Sequence, residues 1–143
     1  MYETICVPTD GSDHAATVLD HAIDIARTRG ATLHVISVVD DRAFLVLDDE
    51  RVAAVRSDLE ETALEATDDA ASRAADEGVE TVTAIETGGP AECILEYAGS
   101  IGADLIVMGT SGDEYERNVV GSVSQRVVRN APVPVLTVGP GDD

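Results

Sequence analysis

Short apolar runs alternate with longer segments of helical periodicity along the chain. The runs are bounded by proline, glycine or acidic residues, as is typical of buried strands. Predicted strands occupy residues 4–7, 33–39, 79–86, 104–108 and 133–138. The intervening segments carry apolar residues at three- and four-residue intervals, which predicts amphipathic helices. These helices occupy residues 12–29, residues 48–77, a segment that opens at residues 88–90, and residues 122–129.

The first two helices carry the clearest periodicity. Ser12 is the predicted N-cap of the first helix, and Arg29 with Gly30 forms a basic last turn followed by a stop. Its predicted buried stripe is Ala15, Val18, Leu19, Ala22, Ile25 and Ala26. The stripe of the second helix is Val52, Val55, Leu59, Ala63, Ala66, Ala70 and Ala74. Its opposite face is mostly acidic, which indicates a solvated surface. Residues 40–47 lack a clear period and are either a flexible loop or a first helical turn.

The alternation of strands and helices predicts the fold class. Strands separated by helices of this length form right-handed crossovers and a parallel sheet that helices cover on both faces. We predict an α/β fold, a single open, doubly wound, five-stranded parallel sheet of order 3-2-1-4-5, over residues 1–143 as one domain. Ligands of such sheets bind beyond the carboxyl ends of the strands, where the winding reverses. Residues 8–12, residues 38–40 and the segment from Gly109 follow strands and should converge there.

Composition and net charge limit the cellular environment and the binding partners that the sequence predicts. The core must be aliphatic, because aromatic residues make up 3% of the chain and tryptophan is absent. The formal net charge is -19, and all nine basic residues are arginine. At about 1 M salt the Debye length is about 3 Å, which removes most of the cost of such self-repulsion. A salt-rich cytoplasm, as in a halophile, is therefore favoured over an ordinary acidic protein. Nucleic acid is excluded as a partner, because no basic face can be drawn.

Two cysteines and the absence of long apolar runs indicate a cytoplasmic location. Cys6 lies in an apolar run and Cys93 in a helical pattern, so we expect buried thiols in place of a disulfide or a metal pair. No signal peptide is recognisable, and no apolar run approaches the 18 residues of a membrane span. We therefore expect no membrane partner.

A glycine-patterned turn follows the fourth predicted strand. Gly109 and Gly112 close that strand, and Gly121 with Ser122 opens the next helix. Free backbone amides and the positive end of the helix dipole favour a phosphate at such a turn, and glycine allows close approach. An internal alternative stays open, because Ser122 and Gln125 have the spacing of a capping box that satisfies the same amides.

Several short segments each carry little information alone. Their joint order and spacing along the chain are highly specific. The set is Pro8-Thr9-Asp10-Gly11-Ser12, Gly89-Pro90, residues 104–110 (DLIVMGT), residues 121–124 (GSVS), residues 126–129 (RVVR) and residues 131–136 (APVPVL). Together these segments resemble the universal stress protein family over nearly the whole chain. The nucleotide-binding branch of that family carries the pattern G-x2-G-x9-G-[S/T]. Its members hold ATP, often as dimers, without strong enzymatic activity.

The resemblance implies a set of ligand-contacting residues. Pro8, Asp10 and Val38 would meet the adenine and ribose, and the glycine turn would frame the phosphates. The nucleotide-binding residues implied in this way are Pro8, Thr9, Asp10, Val38, Met108, Gly109, Gly112, Gly121, Ser122, Val123 and Ser124. No catalytic or metal-ligating residue is predicted. Asp10 has an alternative role as a charge at the N-terminal end of the first helix.

The turn departs from the family pattern in two ways. Eight residues separate Gly112 from Gly121, where the pattern expects nine, and Asp113 replaces a residue that is commonly basic. Glu114 and Glu116 follow closely, and Arg117 is the cation of this loop. Like charges within about 4 Å cost about 4 kcal/mol at an effective dielectric of 20. Bound Mg2+ would offset this repulsion, since it bridges carboxylate and phosphate oxygens. AMP and ADP are thus expected ligands alongside ATP.

Three functions of different classes follow from these features. The first is a non-enzymatic stress-response or signalling protein that binds an adenine nucleotide. The second is a nucleotide-free dimeric scaffold of the same fold, because the final strand, Val133 to Val138, would lie at a sheet edge and join a second copy. The third, an enzyme that activates substrates with ATP, is disfavoured, because the chain has no lysine and no histidine-rich motif after its first strand. Slow incidental hydrolysis is the most activity that we expect.

Overall fold

The computed structural model describes residues 1–110 and 121–140. The strands are β1 (Thr4–Pro8), β2 (Thr32–Asp40), β3 (Thr81–Gly88), β4 (Leu105–Gly109) and β5 (Val135–Val138). The helices are α1 (Asp13–Arg29), α2 (Asp49–Asp76), α3 (Pro90–Ile101) and α4 (Ser122–Asn130). A short 3-10 helix at Asp41–Phe44 follows β2. The segment that the sequence left open between a loop and a helical turn therefore begins as a turn.

The strands form one parallel sheet with the order β3-β2-β1-β4-β5. Ile5 on the central strand β1 pairs with Leu33 of β2 on one side and with Leu105 of β4 on the other. The chain moves outward from β1 through β2 to β3, and then crosses back to β4 and β5. This arrangement confirms the predicted fold class and strand order. It also places the reversal of winding between β1 and β4.

Two apolar clusters cover the two faces of the sheet. The first joins α1 and α2 to one face and includes Val18, Leu33 and Val107. The second joins α3 and α4 to the other face and includes Ile36, Ile94 and Val127. In β1 and β4, successive residues enter opposite clusters, because successive side chains of a strand point to opposite faces. The core is aliphatic, as the composition predicts.

Helix α1 has the predicted ends but not quite the predicted stripe. The Ser12 hydroxyl oxygen accepts a hydrogen bond from the backbone N–H of Ala15 at 3.1 Å, and Gly30 caps the other end with φ of 69°. Ile25 is only partly buried but packs against the same cluster, whereas Ile23, which the predicted stripe omitted, is buried. At 3.6 residues per turn the two side chains lie about 80° to either side of the stripe. Helix α2 lies on the Ile23 side, where its Arg73 pairs with Asp20 of α1 and Glu77 at its end pairs with Arg27, so Ile23 is the more deeply buried of the two.

The limits of two strands differ from the predicted ones because of local hydrogen bonding. Strand β3 starts at Thr81, since the Val79 N–H still donates to the Ala74 carbonyl at the end of α2, at 3.0 Å. Strand β5 starts at Val135 and not at Val133. Proline has no N–H to donate, so pairing cannot extend through Pro134, although its carbonyl accepts from Ile106 at 3.0 Å.

Helix α2 is buried along only part of its predicted stripe. Ala63, Ala66, Ala70 and Ala74 are buried together with Thr67. The earlier positions Val52, Val55 and Leu59 are only partly buried. The acidic residues of this helix are exposed, as the prediction of a solvated face requires. No helix in residues 1–110 and 121–140 is long and apolar enough to cross a membrane.

The two cysteines are free thiols in different surroundings. Cys6 is fully buried in β1, and burial raises the pKa of its thiol to about 12. Cys93 is half-buried on α3, where burial and several nearby carboxylates raise its pKa. The predicted burial is therefore complete for Cys6 and partial for Cys93.

Candidate functional site

A cleft of about 1060 Å³ opens at the carboxyl ends of β1, β2 and β4. Its position is the switch point of the sheet, where the crossovers leave a crevice between neighbouring strands. The predicted site residues that the structure describes all line this cleft. They are Pro8, Thr9, Asp10, Val38, Met108, Gly109, Gly121, Ser122, Val123 and Ser124. Gly112 and the loop residues Asp113, Glu114, Glu116 and Arg117 lie outside the described residues.

The turn between β1 and α1 is held by its own side chains. The Thr9 hydroxyl oxygen accepts from the Gly11 N–H at 3.2 Å, and the Asp10 Oδ1 atom accepts from the Ser12 N–H at 2.9 Å. The Thr9 N–H donates to the Ile36 carbonyl at 2.9 Å, which ties the turn to β2. Asp10 is exposed, and its Oδ2 atom makes no hydrogen bond among the described residues. The side chain thus shapes the turn and still offers an acceptor to the cleft.

The start of α4 forms a second wall of the cleft. Gly121 occupies the N-cap position with φ of -65°, and Ser122 is the first helical residue. The capping-box alternative, with Ser122 as the cap, is therefore wrong, because Gly121 has no side chain to satisfy the first amides. These amides have no partner within the helix, and they lie at the positive end of its dipole. The arrangement suits an anion.

A short network joins this helix start to the end of β4. The Gly121 N–H donates to the Thr110 carbonyl. The buried Ser124 hydroxyl lies 2.7 Å from the same carbonyl and 3.0 Å from that of Gly121. Ser124 therefore lines the cleft but uses its hydroxyl to fix the backbone. Ser124 therefore shapes the turn, and its predicted contact with a nucleotide stays a prediction.

The third wall follows the end of β2 and is mostly apolar, with Ser37 and one ion pair as its polar groups. Val38 and Ile36 contribute aliphatic surface, and Ile94 of α3 adds to it. At the rim, Asp40 and Arg42 pair through their side chains. The hydrogen bonds from Arg42 hold the pKa of the Asp40 carboxyl below its ordinary value, although partial burial opposes the shift. Both groups are therefore charged at neutral pH.

Arg42 and His14 are two of the lining residues that were not predicted as site residues from the sequence. Arg42 is the one cation among the described lining residues, and its signal in the sequence was its place directly after the second strand. His14 also lines the cleft, and its buried Nε2 atom has no hydrogen-bond partner among the described residues. No sequence pattern marked His14, because it lies in the first turn of α1 and not in the apolar stripe. Residues 1–110 and 121–140 contain no cluster of three or more metal-ligating side chains.

Comparison with known sequences gives a consistent result. Residues 1–139 match the sequence model of the universal stress protein family. The universal stress protein MJ0531 of Methanocaldococcus jannaschii is 41% identical over 140 residues, which are 96% of this chain and 82% of that protein. The match spans the cleft residues and the sheet alike.

Solved structures agree in fold. Universal stress protein UspA from Lactobacillus plantarum superposes with a TM-score of 0.82 at 31% identity, covering 96% of this chain and 97% of that one. A universal stress protein from Archaeoglobus fulgidus in complex with dAMP has a TM-score of 0.69 at 28% identity, covering 95% and 97%. A universal stress protein in complex with cAMP has a TM-score of 0.71 at 26% identity, covering 98% of each chain. With the sequence match over nearly its full length, this chain belongs to the universal stress protein family.

Proposed function

We propose that this protein binds an adenine nucleotide in the cleft and acts as a stress-response or signalling protein without catalytic turnover. The observation that carries the proposal is the chemistry of the two ends of the cleft. One end presents the first amides of α4, which no N-cap side chain satisfies, and the other presents aliphatic surface from β2 and α3. A nucleotide has the same division, with an anionic phosphate at one end and an apolar base face at the other. The dAMP and cAMP complexes of relatives support the same ligand class.

The size of the cleft supports a small-molecule ligand. Ligand pockets of this kind occupy roughly 300–1,000 Å³ and combine apolar walls with a few convergent polar groups. The cleft of about 1060 Å³ lies just above that range. It has room for the ligand and for waters or a cation beside it. Asp10 lies between the two ends and has an oxygen available to accept a ribose hydroxyl.

The charge of the cleft favours ligands with few phosphate groups. The described lining carries two carboxylates, Asp10 and Asp40, and the guanidinium of Arg42. The sequence between Gly112 and Gly121 adds three acids and one arginine. We therefore propose AMP-like nucleotides as ligands without metal, and ATP as a ligand with Mg2+, which neutralises part of its charge.

The absence of turnover is part of the proposal. Lysine is absent from the chain. His14 is the one histidine among the described residues that line the cleft. Its Nε2 atom is buried away from solvent, which disfavours a role as a proton shuttle. Incubation with ATP and Mg2+ should therefore release ADP no faster than slow incidental hydrolysis.

The test of binding begins with the purified protein. The protein is isolated in molar KCl and denatured, and the supernatant is analysed for adenine nucleotide by chromatography. Thermal shift with AMP, and with ATP and Mg2+, follows across salt concentrations. Stoichiometric nucleotide or a clear shift is the expected result. An empty protein with no shift under any condition would contradict the proposal.

A matched pair of glycine variants locates the site. Gly121→Leu places a side chain over the first amides of α4, and its φ of -65° is ordinary for leucine. We expect this variant to lose binding and to keep its fold. Gly99→Leu is the control, because Gly99 is exposed on α3 and a β-carbon there meets no atom within 4 Å. Equal binding by both variants would place the ligand elsewhere.

A nucleotide-free dimeric scaffold is the second candidate, and the edge strand β5 favours it. Strand β5 pairs with β4 alone among the described strands, and Leu136 is 38% exposed on it. A second copy could pair along this edge. Light scattering should show a dimer that Leu136→Asp converts to a monomer.

The two free thiols support our proposal of a cytoplasmic location.

A further inference from the structure

Arg42 is fixed at the rim of the cleft by an unusually complete set of contacts. Its Nε atom lies 2.9 Å from Oδ1 and 3.0 Å from Oδ2 of Asp40, and its Nη2 atom lies 2.5 Å from Oδ2. Its backbone N–H also donates to Asp40 Oδ1 at 3.0 Å. Asp40 is the last residue of β2 and caps the short 3-10 helix that carries Arg42. The guanidinium is therefore held by the end of the sheet, although its side chain is 66% exposed.

These contacts leave most of the guanidinium available to a ligand. They use the edge of the group formed by Nε and Nη2, so the Nη1 donors and both planar faces carry no contact from Asp40. Arg42 stacks on no aromatic ring of the described residues, whereas nearby Arg56 lies 4.8 Å over the ring of Phe44. Arg42 lines the cleft beside Val38 and Val39. A flat, positively charged surface thus adjoins the apolar wall.

The electrostatic surroundings disfavour a phosphate at this position. Arg42 interacts with Asp40 first, and also with Asp41 and Glu92, all of which raise its pKa. A phosphate that reached Arg42 would face these three carboxylates. The uncapped start of α4 lies beyond β4, two strands away from β2, which is roughly 10 Å across the sheet. The end of the cleft that suits an anion and the end that carries Arg42 are therefore separate.

We propose that the guanidinium of Arg42, positioned by Asp40, stacks on the base of the nucleotide bound in the cleft. The proposal rests on the proposed function and adds a base-contacting residue at the β2 end. Arginine stacks well on planar π systems, because its guanidinium is flat and weakly hydrated. Asp40 keeps the group in place, so little side-chain freedom is lost on binding. Arg42 thus contributes affinity for the base and none for the phosphate.

The test compares three ligands on three proteins by titration calorimetry. The ligands are adenosine, AMP and ribose 5-phosphate, and the proteins are the wild type, Arg42→Lys and Arg42→Gln. Lysine keeps the charge and loses the plane. Both variants should bind adenosine and AMP about tenfold more weakly, which corresponds to one stacking contact, and should bind ribose 5-phosphate unchanged. Arg27→Gln is the matched control. Arg27 is also exposed and ion-paired, but it lies on α1, pairs with Asp24 and Glu77, and does not line the cleft.

Each other outcome overturns a defined statement. A loss confined to AMP and ribose 5-phosphate would make Arg42 a phosphate contact, and full affinity in Arg42→Lys would reduce its role to charge. Either result overturns this inference alone. A wild-type protein that binds neither adenosine nor AMP overturns the proposed function as well. Thermal melts of the variants establish that each one is folded.

The positioning role of Asp40 has its own test in a double-mutant cycle. Asp40→Asn should weaken adenosine binding in the wild-type background, because the amide holds the guanidinium less firmly. It should have no further effect in the Arg42→Lys background. Additive losses would show that Asp40 acts on the ligand directly, and this outcome would overturn the positioning role.

Discussion

The two helical layers cover the same sheet to different extents. On one face, α1 and α2 have 17 and 28 residues, and on the other face, α3 and α4 have 12 and 9. Among the described residues, only Tyr2 and Ile25 are partly buried hydrophobics at the first cluster. The partly buried hydrophobics at the second cluster are Val38, Ala84, Leu95, Tyr97, Ile101, Val123, Ala131, Val133 and Val135. The α1/α2 layer is closed, and the α3/α4 layer has an open apolar rim.

Both layers line the cleft, through His14 and Leu59 on one side and Ile94 and Ser122 on the other, but their outer surfaces differ. The closed layer carries the acidic surface of α2 and is tied together by the ion pairs of Arg73 with Asp20 and of Arg27 with Glu77. The open layer contains the start of α4, and it adjoins the exposed edge of β5. Short helices on this face leave the end and the edge of the sheet accessible, which the proposed nucleotide binding and the proposed pairing with a second copy both require.

The largest effect is expected from matched truncations in β2, which test the comparison between the two helical layers. Leu33 enters the closed layer and Ile36 the open one, and both are 0% exposed. Each change to alanine should lower the free energy of unfolding by about 2–5 kcal/mol. Leu33→Ala should cost more, because a closed layer cannot collapse around the cavity, whereas Ile36 adjoins the cleft. Urea denaturation measures both, and a larger cost for Ile36→Ala would break the comparison.

Two glycine-to-alanine changes should have opposite signs. Gly11 has φ of 79°, and a β-carbon there would lie 3.2 Å from the Ala66 β-carbon of α2. Gly11→Ala should therefore destabilise the protein by about 1–2 kcal/mol or more. Gly99→Ala in α3 meets no atom within 4 Å and should stabilise it by about 0.5–1 kcal/mol. Chemical denaturation checks both, and a Gly11→Ala variant as stable as the wild type would contradict both the strain at this positive φ and the close approach of the turn to α2.

The acidic surface of α2 should produce a smaller effect that depends on salt. Glu65 is exposed, with Glu61, Asp68 and Asp69 at neighbouring helical positions. Glu65→Gln should add about 0.2–0.5 kcal/mol for each repulsive pair removed at low salt. The gain should vanish near 1 M KCl, where the Debye length is about 3 Å. Glu96→Gln in α3 is the control and should gain less, and a gain that persists at high salt would contradict this account.

The smallest expected effect is a pH dependence on the open face. Burial lowers the pKa of His34, against an opposing effect of Glu80, and its Nδ1 atom lies 3.3 Å from the Tyr97 hydroxyl of α3. The folded state thus binds a proton at His34 less readily than the unfolded chain, which takes up this proton below about pH 6.5. The stability that the neutral ring contributes is present above that pH and is lost as pH falls through the lowered folded pKa. His34→Gln should remove this part of the pH profile, measured as the difference from wild type by thermal denaturation.

The fold could be predicted from the sequence nearly completely. The hydrophobic period changes at Pro8 and at Gly109, and Gly30 ends the first helix. These signals mark the alternation of strands and helices. That alternation admits few parallel topologies, because crossovers are right-handed. The limits of β5 were missed because a run of apolar residues shows hydrophobicity, whereas pairing needs N–H donors that Pro134 lacks.

The candidate site could be predicted only where the chain signals it locally. The Gly121 turn and Pro8-Thr9-Asp10 stand out because glycine and proline follow buried strands. Arg42 and His14 do not stand out, since an arginine after a strand and a histidine in a first helical turn have many ordinary roles. Both reach the cleft because β2 lies beside β1 and α1 starts at its rim.

By itself, the sequence determined the order of elements, the aliphatic core, the charge and the two ends of the glycine turn. These properties depend on periodicity and on residues close to one another along the chain. Only the tertiary structure decided that Ile23 and not Ile25 is buried, that Gly121 and not Ser122 begins the cap, and that Asp40 holds Arg42 at the cleft. The burial of Ile23 and the place of Arg42 at the cleft depend on contacts between elements far apart in sequence, whereas the cap depends on the backbone conformation that the fold gives to Gly121.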